Sequence, residues 1–104
     1  MWPDDEDGRV LRRLQEKGFD FSKSYVIDFI VDFKQWPPAQ QALNDIRTRF
    51  PNTTEYVDDV SGNGSLTVKV EAVLTYQLVI DTQRQLTDAA EKSGGWCNSW
   101  GVLH

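Results

Sequence analysis

The chain has 104 residues, 39% hydrophobic and 26% charged, a mixture that fits one small globular domain rather than a disordered segment. Sixteen acidic residues face eleven basic ones, for a formal net charge of -5, which argues against a general binder of phosphate backbones. One Cys and one His exclude an internal disulfide and a multi-Cys or His-rich metal site, and no run approaches the roughly 20 apolar residues of a transmembrane helix.

The start, Met1-Trp2-Pro3-Asp4-Asp5-Glu6-Asp7, is acidic where a signal peptide is basic, so a cytoplasmic protein is expected. Residues 1–8 read as an acidic, flexible leader ahead of a single domain over 9–104. Asp7 is the expected N-cap of a short helix from Arg9 to Lys17, with Val10, Leu11 and Leu14 on one stripe and Gly18 as its stop.

Tyr25 to Phe33 alternates. Tyr25, Ile27, Phe29, Val31 and Phe33 are assigned to the core, and Val26, Asp28, Ile30 and Asp32 to the opposite face. Trp36-Pro37-Pro38 breaks this strand and opens a helix whose apolar positions are Ala39, Ala42, Leu43, Ile46 and Phe50. Thr53 to Val60 favours a second strand, with Tyr56 as its core candidate and Asp58 and Asp59 on opposite faces. Ser61-Gly62-Asn63-Gly64 is a hairpin signal before a third strand carrying Leu66, Val68, Val70, Ala72 and Leu74. A last helix spans roughly 78–92, with Val79, Leu86, Ala89 and Ala90 inward, and Gly94-Gly95 ends it. Trp96 to Leu103 closes the chain as a strand with Trp100 and Val102 on one face. After the first helix the order is βαββαβ. That predicts an α+β, ferredoxin-like fold, a four-stranded antiparallel sheet with two helices on one face and an extra N-terminal helix.

The alternating strand, the Pro37-Pro38 helix start, the Val68-Lys69-Val70-Glu71 strand, the helix with Ile80, Leu86 and Ala90, and the ending Gly94 to Gly101 form a recognisable set. Together they resemble the regulator of ribonuclease E activity B (RraB) family over roughly residues 8–103. Gly94, Gly95, Trp100 and Gly101 match its closing segment, whereas Cys97, Asn98 and Ser99 stand where the family has Tyr, Asp and Gly. The resemblance implies a non-catalytic domain that binds the C-terminal scaffold of ribonuclease E and restrains RNA cleavage, with no cofactor and no metal. An acidic balance agrees in sign with a basic, arginine-rich scaffold segment.

The charged candidates for such docking are Asp28, Asp32, Glu55, Asp58 and Glu71, with Trp100 as a possible aromatic anchor. Each also has a structural reading: solvated strand carboxylates, and a Trp packed at the sheet edge. Asp28 and Asp32 lie about 13 Å apart along a strand, too far for paired general acid–base work. Cys97 as a nucleophile lacks a neighbouring base in the sequence, and His104 is expected to be an exposed terminal residue. Direct RNA binding is disfavoured because the third strand, from Ser65 to Glu71, carries no aromatic residue on which bases could stack. A homo-oligomer or a small-ligand module is the alternative. Val26, Ile30 and Val73 are either a bare contact surface or are covered by the first helix.

Overall fold

A computed structural model describes residues 2–102. The first helix, α1 (Glu6–Glu16), starts earlier than the sequence suggests. Asp5, not Asp7, is the N-cap, its Oδ1 accepting from the Gly8 N–H at 2.8 Å, and Glu6 and Asp7 complement the dipole of the first turn. Gly18, at φ +82°, ends the helix in a Schellman arrangement: the Phe19 N–H bonds the Leu14 carbonyl and the Gly18 N–H that of Gln15.

Four strands follow, β1 (Ser24–Phe33), β2 (Thr53–Val57), β3 (Gly64–Val73) and β4 (Gly95–Val102). They pair antiparallel in the order β2-β3-β1-β4. Helix α2 (Gln40–Arg49) links β1 to β2, and α3 (Tyr76–Ala90), capped by the Thr75 hydroxyl and extended by a 3-10 turn (Glu91–Ser93), links β3 to β4. This is the expected ferredoxin-like core with an extra N-terminal helix.

The alternation of β1 decides the layers. Ile27, Phe29, Val31 and Phe33 are buried with Leu66 and Val68 of β3, Leu43 and Ile46 of α2, Val79 and Leu86 of α3, and Leu11 and Leu14 of α1. All three helices therefore cover one face of the sheet. Val26 and Val73 on the other face remain 44% and 42% exposed, so α1 does not fold over them. Close packing of Gly95 against the core explains why glycine follows glycine here, since a Cβ on Gly95 would overlap the Phe33 ring.

Three local expectations change. Tyr56 is not a core residue: β2 is an edge strand, Tyr56 pairs with Ser65 on the uncovered face, and its side chain is 60% exposed. β2 ends at Val57, so Asp58 and Asp59 belong to the hairpin turn. The acidic run that reads as a leader is tied down, because Asp5 and Asp7 bond α3 and β4 and Trp2 packs at a tilt against Phe21 with ring centroids 5.3 Å apart. His104 lies outside the described residues.

Candidate interaction surface

Directly paired residues on neighbouring strands point to the same face of a sheet. The register therefore assembles one row across the uncovered face: Tyr56 pairs with Ser65, Ser65 with Asp32, and Asp32 with Trp96. The ends of this row stand about 14 Å apart, three strand spacings. Trp96 is 39% exposed. Asp32 makes no side-chain hydrogen bond or ion pair among the described residues. A groove of about 280 Å³ runs beside the row, lined by Asp32, Tyr56, Asp58, Asn63 and Ser65.

Two residues further along β1 from Ile30, the face changes character. Asp28 sits opposite Lys69, and the Lys69 ammonium meets the Asp28 carboxylate at 2.9 Å. This pair is half exposed, so it contributes little to stability and leaves little net charge. Val26 lies opposite Glu71, and the Glu71 side chain makes no hydrogen bond or ion pair among the described residues.

The six residues singled out from sequence thus divide. Asp28, Asp32 and Glu71 share the uncovered face. Glu55 pairs with the buried Leu66 and points to the helical side, where Arg47 of α2 holds it at 3.0 Å. Asp58 shapes the hairpin turn: its carboxylate accepts from the Val60 N–H at 2.9 Å and, with a Ser61 bond, is held below its ordinary range. Trp100 pairs with Phe29, so it too faces the helical layer, and its indole N–H donates to Asp7 at 2.7 Å. It is half-buried closure rather than part of the open face.

Two features of the structure are not legible in the sequence, the aromatic members of this surface and the anchoring of α1 on the opposite side of the sheet. Tyr56 and Trp96 become its aromatic members only through strand register, which no local pattern reveals. Asp5 and Asp7 anchor α1: Tyr76 donates its hydroxyl proton to Asp5 at 2.5 Å, and Gln83 donates to Asp7 at 3.1 Å. The hydrogen bond from Tyr76 is the chief cause holding the Asp5 carboxyl below its ordinary value, and its reciprocal raises Tyr76. Charge alone marked those carboxylates, and charge does not say what they bond.

Chemical reactivity is muted at the one thiol. Burial, with the Asp7 and Asp32 charges, pushes Cys97 up to about 12, so it stays protonated near neutrality. No group of His, Cys, Asp and Glu that could hold a metal ion is found among the described residues.

A protein-family model described as regulator of ribonuclease activity B matches residues 4–102. The chain belongs to this RraB family. No curated protein matches it. The RraB match begins at Asp4 and so takes in the carboxylates that anchor α1; it ends at Val102, the last residue of β4. This RraB domain has no helix, among its described residues, long and apolar enough to cross a membrane. Its larger groove, about 670 Å³ between α2 and α3, is lined by Asp45, Arg49, Asp88 and Lys92, two charges of each sign. The uncovered sheet face differs in charge, carrying the carboxylates of Asp28, Asp32 and Glu71 against the Lys69 ammonium.

Proposed function

We propose that this chain is a non-catalytic regulator that docks its uncovered sheet face on a basic segment of a protein partner and so modulates RNA decay. The family is one of regulators of ribonuclease activity, so a ribonuclease or its scaffold is the partner class. The C-terminal scaffold of ribonuclease E is the specific partner we assign, from the resemblance of the closing Gly94–Gly101 segment. A cytoplasmic location follows from that partner.

One observation carries the docking reading: the Asp32 carboxylate, without an ion-pair partner among the described residues, stands in a row with the exposed rings of Tyr56 and Trp96. A carboxylate beside aromatic faces suits a cationic side chain, which gains both a charge-assisted hydrogen bond and cation–π attraction. Glu71 adds a second negative charge on the same face, while Asp28 is compensated by Lys69. The net charge of -5 favours encounter with a basic segment.

A titration of the ribonuclease E scaffold segment at two salt concentrations tests this. Saturable binding that associates more slowly in high salt is expected, with slower RNA cleavage by the assembled enzyme. Binding indifferent to salt, or retained in full by Asp32→Lys, overturns the electrostatic docking.

A further inference from the structure

The sheet has an unfilled position along half of β3. β2 pairs with β3 only from Gly64 to Val68, whereas β1 pairs with β3 on its other side as far as Val73. Pro51 turns the chain away before β2 begins, and the last bond across is from the Lys69 N–H to the Asn52 carbonyl at 2.9 Å. Backbone groups alternate in direction along a strand. Glu71 and Val73, two and four residues beyond Lys69, therefore aim their N–H and C=O the same way, where no strand lies alongside them among the described residues. Their side chains are exposed as well.

The other edges are partly guarded. On β4 the Cys97 N–H is taken by the Thr87 hydroxyl of α3 at 3.0 Å, and a bulge interrupts pairing between Ile30 and Val31. β2 is short, and its Glu55 is bound by Arg47. The stretch from Val70 to Val73 has neither protection.

We propose that Val70–Val73 accepts an extended segment of a protein partner as an added antiparallel strand in line with β2, with Lys or Arg opposite Glu71. This rests on the partner-docking reading above and specifies how the partner backbone is held. The alternation of β3 fixes the chemistry. Residues opposite Glu71 and Val73 form the hydrogen-bonded pairs and place their side chains on the uncovered face, where the Glu71 carboxylate has no ion-pair partner among the described residues. Residues between them fall on the helical side, beside the partly buried Val70 and Ala72, and are apolar. The fitting segment alternates basic and apolar residues. A second copy of this chain fits worse, because pairing centred on Glu71 sets two carboxylates directly opposite.

The test uses the full chain and a short synthetic peptide alternating Lys and Val, followed by amide NMR. Binding is expected to slow exchange of the Glu71 and Val73 amide hydrogens about tenfold when nine-tenths of the protein is bound, because only the free fraction then exchanges. N-methylation of the Lys residues removes the donors that face β3 and is expected to abolish binding. N-methylation of the Val residues, whose N–H groups face solvent, is expected to leave it intact. The Glu71→Lys variant is expected to lose this peptide and to bind its Glu–Val counterpart instead. Equal binding of both methylated peptides, with shifts confined to Asp32 and Trp96, overturns strand addition while docking on the face survives. Absence of binding by every peptide, or a concentration-dependent dimer that protects the same amides, also overturns it.

Discussion

The Trp100 indole donates to the Asp7 carboxylate at 2.7 Å across 93 residues of sequence, joining the last strand to the first helix. Asp7 also accepts from Gln83 of α3. Asp7→Ala leaves the Trp100 indole N–H without its acceptor in a half-buried place, while Gln83 keeps only its bond to the Val79 carbonyl. It is expected to cost about 1–3 kcal/mol, read as a fall in Tm. Binding of a basic partner at the uncovered face should not change with it. A loss of affinity matching that of Asp32→Asn would instead make the α1 side part of the interface.

The Asp5–Tyr76 bond gives stability a defined pH dependence. The folded-state value of Asp5 lies below its ordinary 3.8, so this contribution is full above pH 3.8 and fades as pH falls through the lower folded value. Tyr76 is raised above 10.0, so its contribution is full below pH 10.0 and fades as pH rises further. Tyr76→Phe is expected to flatten the stability profile at both ends. Urea unfolding of both proteins across this range checks it, and parallel profiles would sink the assignment.

Cys97 should behave as an inert thiol. With its value pushed up to about 12, the native protein at pH 8 is expected to alkylate far more slowly than the urea-unfolded chain. Equal labelling rates in the two states would contradict its burial.

Gly95→Ala tests the close approach between β4 and the core. The added methyl overlaps the Phe33 ring and comes within 2.9 Å of the Ala90 Cβ. The expected cost is about 1–3 kcal/mol, seen as a lower urea midpoint with an unchanged slope.

Charge removal separates the two aspartates of β1. Lys69→Ala is expected to change stability by less than about 1 kcal/mol, because the pair is half exposed. It should, however, release Asp28 and tighten binding of a basic segment. Asp32→Asn should weaken that binding more than Asp28→Asn does. The reverse ranking in a two-salt titration would move the docking site toward Lys69.

The fold was legible wherever burial imposed a period. Ile27, Phe29, Val31 and Phe33 announce their face because every second position of β1 enters the core. Gly18 announces the end of α1 because its positive φ suits glycine. The edge strand was opaque. β2 has no buried position, so Tyr56 carried no signal of its face, and only pairing with Ser65 sets it. The surface was half legible for the same reason. Asp28 and Asp32 could be placed together from one strand, whereas Glu55 and Trp100 were separated from them by cross-strand register and by Arg47 and Asp7. The sequence marks which carboxylates are charged but not which already have a partner.

The sheet order bears on how the chain emerges from the ribosome. β1 is flanked by β3 and β4, so its first-made residues wait for the last: Val31 pairs with Cys97, and Ser24 with Val73. A nascent chain halted before β3 holds Phe29 and Val31 with neither neighbouring strand in existence. Such long-range pairing slows folding and leaves an apolar strand transiently bare. Fragments ending near residue 60 are therefore expected to need chaperone protection that the full-length chain escapes.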